Sequence, residues 1–183
     1  MKFKNKENEK ITSTDGRDFW ISRSVAVCGT IIGIKNIEAQ EAFVLVEKRG
    51  SSLDSAGKWC LPCGYLDWDE TGPEAIKREI FEECNLNIDK LVSKQTKCFN
   101  CLNTEWRVNT DPDSNRQNVT LHYGLIFFTD GKELPKVKSL NTEEVEMVGW
   151  QSLELLHTLD WAFDHNVIIN RFQSHFMNKT LGI

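Results

Sequence analysis

Three glutamates within five positions, Glu79, Glu82 and Glu83, have a spacing that could bind a metal ion. At about 100° per residue of an α-helix, their side chains share an arc of about 100°. Ile76 and Ile80 fall beside that arc, so the acids border the apolar face of the helix instead of opposing it. The segment therefore predicts three half-buried carboxylates on one side of a helix.

This arrangement is locally unfavourable without a cation. Like charges three and four positions apart on a helix repel each other, and the last turn of a helix favours cations over acids. Mg²⁺ and Mn²⁺ prefer oxygen ligands of this kind. We interpret the three acids as a candidate site for Mg²⁺ or Mn²⁺, with a solvated acidic surface as the alternative for the acids taken alone.

The same segment carries helix signals at both ends. Thr71 followed by Glu74 forms a capping-box pattern, and Pro73 falls in the first turn, where its missing N–H costs little. Asn85 is, after Gly, the residue best suited to the left-handed position that ends a helix. These signals predict a helix that ends at Cys84.

A longer pattern surrounds the acids. The segment matches G-x5-E-x7-R-E-U-x-E-E-x-G-U, in which U is aliphatic, and it resembles the Nudix box. The matching residues are Gly64, Glu70, Arg78, Glu79, Ile80, Glu82, Glu83 and Leu86, while Asn85 replaces the final Gly. Upstream, Trp59-x-Leu61-Pro62 is similar to the W-x-L-P-G-G that precedes the box, with Cys63 in place of the first Gly.

The elements that would position these residues follow from the hydrophobic pattern. We expect strands at 19–34, 42–47, 59–61, 91–101, 119–128 and 146–150, and helices at 74–84 and 161–177. Strands interleaved with two helices indicate an α/β layered domain. The Nudix resemblance implies an α/β/α sandwich with a mixed β-sheet and the box helix packed on it. We expect this domain to span residues 19–183, after a polar N-terminal arm at 1–18.

The resemblance also implies an activity, the hydrolysis of a nucleoside diphosphate linked to another moiety. Glu79, Glu82 and Glu83 would bind Mg²⁺ or Mn²⁺, and the main-chain carbonyl of Gly64 would be a further ligand. Arg78 would orient the carboxylates, with a purely structural ion pair as the alternative. The proton of the attacking water would pass to Glu79, to Glu82, or to a loop acid, for which the candidates are Glu105, Asp113, Glu143 and Glu144.

Substrate contacts would come from outside the box. Arg49 could hold a phosphate, and His122 and Glu144 are further candidates. The stretch Trp161-Ala-Phe-Asp-His165 resembles one found late in some Nudix proteins that handle ADP-ribose-like compounds, which favours an ADP-ribose-like, dinucleotide or nucleotide-sugar substrate. A nucleoside triphosphate pyrophosphohydrolase and a non-catalytic nucleotide-sensing module are the alternatives.

Composition narrows the class of protein. With 22 Lys and Arg against 27 Asp and Glu in 183 residues, the formal net charge is −5, which argues against a partner in duplex nucleic acid. The absence of a long apolar run predicts no membrane span, and the polar start predicts a cytoplasmic protein. A homodimer is left open.

Six cysteines include two Cys-x-x-Cys pairs, Cys60/Cys63 and Cys98/Cys101. In a chain without a secretory signal they are expected to be reduced thiols. We favour buried structural thiols, and a four-thiolate zinc site or redox chemistry is the alternative.

Overall fold

The computed structural model describes residues 8–39, 41–95, 98–112, 117–140 and 143–181. Within these ranges it contains β-strands, α-helices and one 3₁₀ helix at Leu153–Thr158. The strands are β1 (Glu9–Thr12), β2 (Asp18–Ile21), β3 (Val25–Asn36), β4 (Glu41–Arg49), β5 (Trp59–Cys60), β6 (Cys63–Tyr65), β7 (Cys98–Cys101), β8 (Arg107–Asn109), β9 (Val119–Phe128) and β10 (Val145–Ser152). The α-helices are α1 (Gly72–Cys84), α2 (Ile88–Val92) and α3 (His165–Leu181).

Eight strands form one mixed sheet in the order β10-β4-β3-β9-β7, extended by β5 on β4, β6 on β3 and β8 on β9. Strands β3 and β9 run parallel, from the pair Val25 and Val119 to the pair Ile34 and Phe128. The remaining pairs in this sheet are antiparallel. The mixed sheet with its helices confirms the predicted α/β class.

Strand β3 separates two cores because successive side chains of a strand point to opposite faces. Val27 and Ile31 belong to the apolar cluster that contains the buried face of α1. Cys28 and Ile32 belong to the cluster that contains the buried face of α3. The near-continuous apolar sequence of this strand fits a central position that is covered on both sides.

Helix α1 begins and ends at the predicted signals. The Thr71 side chain accepts a hydrogen bond from the backbone N–H of Glu74, and the Glu74 carboxylate accepts one in return from the N–H of Thr71. Asn85 follows the last turn with φ 53°, in the left-handed region. The capping box and the left-handed closure are therefore confirmed.

Three elements differ from the sequence prediction. The strand expected at 19–34 is two strands, because residues 22–24 leave the sheet and β2 pairs with β1 in a separate hairpin. The strand expected at 91–101 is wrong in its first half, where Asn87 caps α2 by accepting from the N–H of Lys90. Helix α3 begins at His165 because Phe163 and Asp164 both have positive φ.

No helix in the described ranges is long and apolar enough to cross a membrane. The predicted arm contains β1, and residues 1–7 of it lie outside the described residues. The boundary between arm and domain stays a prediction.

Candidate active site

A cleft of about 720 Å³ lies beside the start of α3. Five strands contribute to its lining, together with Glu83 from α1 and several residues from the N-terminal half of α3. Five of the predicted site residues line it: Arg49, Gly64, Glu83, His122 and Glu144. The fold thus brings residues that are far apart in the sequence to one opening.

Arg78 holds the acids of the box together. Its guanidinium donates to both carboxylate oxygens of Glu70, at 3.0 Å from Nε and 2.7 Å from NH2. The NH1 group donates to Glu79 at 2.9 Å and to Glu82 at 3.1 Å, and NH2 also donates to the main-chain oxygen of Tyr65 at 3.1 Å. These hydrogen bonds lower the pKa of the Glu70 carboxyl. Arg78 therefore fixes the spacing between the box helix and the loop before it.

Glu79 lies against the backbone of β6. A Cβ atom added at Gly64 would overlap the Glu79 carboxylate, so any larger residue here would force that side chain to move. Burial raises the pKa of Glu79, and the charges of Glu82 and Glu144 add to this effect, while Arg78 opposes it. This close contact fits the glycine at this position of the pattern.

Glu83 faces a second buried acid that the sequence analysis missed. Glu83 is 6% exposed and accepts a hydrogen bond from the N–H of Cys63 at 3.1 Å. Glu47, on β4, is 2% exposed and accepts from the Cys60 thiol at 3.2 Å. Burial raises the pKa of Glu47 to about 7, and burial together with Glu47 raises that of Glu83 well above its usual range. A glutamate inside an apolar strand was the signal that could have identified Glu47.

These oxygens fit a hard divalent cation. The Oε2 atom of Glu47 is buried and has no hydrogen-bond partner among the described residues, and the glycine at 64 leaves open backbone beside Glu79. Carboxylate and carbonyl oxygens are the donors that Mg²⁺ and Mn²⁺ prefer. In the part of the chain that is described, no three His, Cys, Asp or Glu side chains are already arranged around a common point. Arg78 engages Glu79 and Glu82 instead.

Arg49 is anchored at the rim of the cleft. Its Nε donates to the main-chain oxygen of Asp54 at 2.8 Å, and its NH2 donates to the Asp54 carboxylate at 2.5 Å. Its guanidinium carbon lies 4.8 Å from the centre of the Phe163 ring. A guanidinium held on two sides is positioned to present its remaining donors to the cleft.

Among the loop acids, Glu144 lines the cleft, whereas Glu105 and Glu143 are exposed and do not line it. Asp113 lies outside the described residues. Of the described loop acids that are candidates for the proton acceptor, Glu144 is therefore the one at the cleft.

His165 connects the start of α3 to the lead-in of the box. Its Nδ1 accepts from the N–H of Leu61 at 2.9 Å, and its Nε2 lies 3.8 Å from the Cys28 sulfur. Burial, with His122 and Arg49, lowers the pKa of His165 to about 3. This neutral histidine fixes the terminal helix against the strand before Pro62.

At the other end of the cleft the structure adds two arginines that the sequence did not indicate. Arg107 on β8 and Arg171 on α3 line the cleft together with His122. Burial, then Arg107 and Arg171, lower the pKa of His122 to about 4. Although the net charge is −5, Arg107, His122 and Arg171 form a basic side of the cleft, which we call the basic wall. These three residues are distant in sequence.

The six cysteines are free thiols. Cys28, Cys60 and Cys84 are buried, which fits the favoured interpretation, while Cys98 is exposed. Within the described ranges no cluster that includes them could hold a metal ion, so the zinc alternative gains no support.

Comparison with known proteins identifies the family of this chain. The sequence model of the NUDIX domain matches residues 29–172, which is most of the chain. The chain belongs to the Nudix family. This Nudix protein carries its box residues on α1 and β6, except for Glu70 before the helix and Leu86 after it.

Three solved structures illustrate the likeness. The NUDIX domain of NrtR from Shewanella oneidensis, complexed with ADP ribose, is 19% identical with a TM-score of 0.63, covering 84% of this Nudix protein and 88% of that chain. A bifunctional NMN adenylyltransferase/ADP ribose pyrophosphatase from Francisella tularensis, complexed with AMP and a Mn ion, is 26% identical with a TM-score of 0.62. That match covers 84% of this chain and 42% of the other.

Shewanella oneidensis NrtR complexed with a 27mer DNA is 19% identical, with a TM-score of 0.58, and the match covers 85% and 63% of the two chains. At that identity the likeness shows the fold alone. The expectation that this Nudix protein binds no duplex nucleic acid stays a prediction.

Proposed function

We propose that this protein is a Mg²⁺- or Mn²⁺-dependent hydrolase that cleaves the pyrophosphate bond of a nucleoside diphosphate linked to another moiety. The observation that carries the proposal is the position of the acids. Glu83 opens directly into the cleft, and Glu79 lies against Gly64, which lines the cleft. The Francisella neighbour, an ADP ribose pyrophosphatase complexed with AMP and a Mn ion, supports the same chemistry.

Glu79, Glu82, Glu83 and the carbonyl of Gly64 would hold the metal ions, and Glu47 is placed to join them through its buried oxygen. When bound, a divalent ion polarises the phosphoryl oxygens and lowers the pKa of water. Without an ion, Glu47 and Glu83 are two facing carboxylates that burial keeps partly protonated. Such a pair is poised to exchange protons for a cation.

Two arginines have separate tasks in this proposal. Arg78 orients Glu79 and Glu82 through the NH1 group that both of them share. Arg49 would bind a phosphate of the substrate, because Asp54 and Phe163 hold its guanidinium at the cleft without filling the cleft. A positioned guanidinium can form paired, charge-assisted hydrogen bonds with phosphate oxygens.

Glu144 is the proposed acceptor of the proton from the attacking water. It lines the cleft, and its charge reaches Glu79 strongly enough to raise the pKa of that acid. Glu79 and Glu82 are the alternatives implied by the box, but their carboxylates are engaged by Arg78.

The shape of the cleft favours a substrate with a substituent on each side of the diphosphate, such as ADP-ribose, a dinucleotide or a nucleotide sugar. Its volume of about 720 Å³ extends from Glu83 to Arg171. This is in the range of pockets that enclose a whole small molecule, roughly 300–1,000 Å³. A triphosphate would place its charge at the acidic end and leave the basic wall unused.

The test is a hydrolysis panel with the purified full chain and Mg²⁺ or Mn²⁺. We expect turnover of ADP-ribose, dinucleotides or nucleotide sugars, no turnover of AMP, and loss of activity in excess chelator. Turnover confined to triphosphates would favour the alternative enzyme. Tight binding of ADP-ribose without any hydrolysis would favour the nucleotide-sensing module and contradict the proposal. Cytoplasmic location and a homodimer stay predictions.

A further inference from the structure

The basic wall of the cleft is built around a histidine whose hydrogen-bonding groups are not used. His122 is 3% exposed, and neither of its ring nitrogens has a hydrogen-bond partner among the described residues. The Nε atom of Arg107 is also buried and has no partner in that part of the chain. Polar atoms buried in this way are costly unless a ligand or water satisfies them. The group therefore has the chemistry of a binding site.

The two arginines beside this histidine face the cleft. Arg107 and Arg171 both line it, and both lower the pKa of His122 through their charge. Because its pKa is lowered, the ring of His122 is neutral at pH 7 and offers one N–H donor beside the positive charges of Arg107 and Arg171. We call Arg107, His122 and Arg171 the basic cluster.

Strand pairing fixes the distance between the basic cluster and the acids. Arg107 pairs with His122, His122 with Cys28, and Cys28 with Cys63, so the four residues form one row across β8, β9, β3 and β6. Three steps between neighbouring strands place the backbone of Arg107 about 14 Å from that of Cys63. The N–H of Cys63 donates to Glu83. The acids and the basic cluster therefore lie at opposite ends of this row, and we assign them to different parts of the substrate.

We propose that Arg107, His122 and Arg171 bind a phosphate monoester of the substrate, on the part of the molecule away from the diphosphate. This inference rests on the proposed function, and it narrows the substrate class. The preferred substrates are nucleoside diphosphate compounds that carry an additional phosphate on a ribose hydroxyl. Two guanidinium groups and an imidazole N–H match the charge and the three free oxygens of a phosphate monoester.

The first experiment measures anion binding without turnover. Inorganic phosphate is titrated into the metal-free full chain, in excess chelator, while NMR follows the imidazole signals of His122. We expect saturable changes and a rise in the pKa of His122, because a bound anion offsets the charges of the two arginines. Arg171→Gln, on the exposed side of α3, and Arg107→Gln should weaken phosphate binding by about tenfold or more.

Arg17→Gln is the matched control, since it removes the same charge from the β1–β2 hairpin, outside the cleft. It should bind phosphate as the wild type does. Circular dichroism checks that each variant is folded. Absence of any phosphate effect on His122, or equal binding in the wild type and both cluster variants, would overturn the proposal.

The second experiment compares ADP-ribose with its derivatives phosphorylated at the adenosine 2′- or 3′-hydroxyl, in Mg²⁺. We expect at least one derivative to have a kcat/KM about tenfold or more above that of ADP-ribose, with the advantage lost in Arg107→Gln and Arg171→Gln. Equal kcat/KM for all three compounds, with ADP-ribose hydrolysed, overturns the monoester subsite and leaves the proposed function intact. Phosphate binding at His122 without any hydrolysis supports the subsite and counts against the proposed function.

Discussion

The two ends of the cleft differ in how their residues are distributed along the sequence. The acidic end comes mainly from one continuous segment, in which α1 and β6 supply Glu79, Glu83 and Gly64. The basic end comes from β8, β9 and α3, whose contributions are 15 and 49 positions apart in the chain. Chemistry that one helix presents can be recognised from spacing, whereas chemistry that three separate elements present depends on the sheet register.

The two ends also differ in the hydrogen bonds that hold their side chains. At the acidic end, Arg78 bonds to three carboxylates, while Glu47 has one buried oxygen without a hydrogen-bond partner among the described residues. At the basic end, neither ring nitrogen of His122 has a hydrogen-bond partner in the described part of the chain, and burial and the charges of the two arginines lower its pKa. Arg78 thus holds three acids in place, whereas His122 has no comparable hydrogen bonds among the described residues.

The largest expected effect comes from the acids. Glu82→Gln and Glu83→Gln should each lower kcat by at least about two orders of magnitude, the scale of losing one charge-stabilising group. The metal-free proteins should be folded and slightly more stable, because repulsion between neighbouring acids is relieved. Steady-state kinetics and thermal melts check both points.

Glu74→Gln is the matched control for these variants, because it lies on the same helix and glutamine preserves a capping box. It should retain near-normal activity. Near-normal activity in Glu82→Gln and Glu83→Gln as well would show that the acidic end is not the catalytic end.

Disrupting the hydrogen bonds of Arg78 should have the next largest effect on activity. Arg78→Lys keeps the charge but cannot bond Glu70, Glu79 and Glu82 at the same time. We expect a loss of about 10–100-fold in activity or metal affinity, the usual cost of disturbing groups that orient metal ligands. The metal concentration that gives half-maximal activity should rise. An unchanged metal requirement with normal kcat would reduce Arg78 to a structural ion pair.

Acid should destabilise the protein through the histidines of the cleft. The pKa of His122 is about 4 in the folded protein and about 6.5 in the unfolded chain. The unfolded chain therefore binds more protons between these values, so stability is complete above pH 6.5 and is lost as the pH falls towards 4. His122→Gln should reduce the stability lost between pH 7.5 and pH 5 by up to about 2 kcal/mol in urea denaturation.

The exposed His157 supplies the control, since His157→Gln should leave that pH dependence as it is in the wild type. An unchanged loss of stability in His122→Gln would mean that His122 is not held neutral, and the contrast between the two ends would weaken.

The smallest effect concerns the end of the box helix. Asn85 has φ 53°, a conformation that glycine adopts freely and a β-branched residue does not. Asn85→Gly should be neutral or slightly stabilising, and Asn85→Val should destabilise by roughly 1 kcal/mol or more. Thermal melts of the two variants compare them directly, and a Val variant as stable as the wild type would contradict the left-handed closure.

Local signals carried the sequence analysis furthest. The capping pair Thr71 and Glu74 and the closing Asn85 correctly predicted the ends of α1, because each depends on neighbours within one turn. Strand β9 was also predicted with its observed limits, since its apolar run is long and buried. Where two local signals competed, as at Asn87 before α2, the cap determined the structure, and the first half of the strand predicted at 91–101 was wrong.

Long-range contacts account for what the sequence could not provide. Glu47 becomes a partner of Glu83 because β4 and the end of α1 line the same cleft. Arg107 and Arg171 both act on His122 because β8 and α3 line that cleft as well. Neither of these placements produces a periodic pattern in the sequence. Arg49, His122 and Glu144 were predicted from family position or from an alternating strand, and the fold placed all three at the cleft.

The most direct test of the central claim is hydrolysis of ADP-ribose by the full chain with Mg²⁺ in ¹⁸O-labelled water, followed by mass spectrometry of the products. If the acidic end directs water to phosphorus, one label enters one of the two phosphate-bearing products and none enters the ribose carbons, and Glu83→Gln forms almost no product. Label on a sugar carbon, or full activity in excess chelator, would contradict the account.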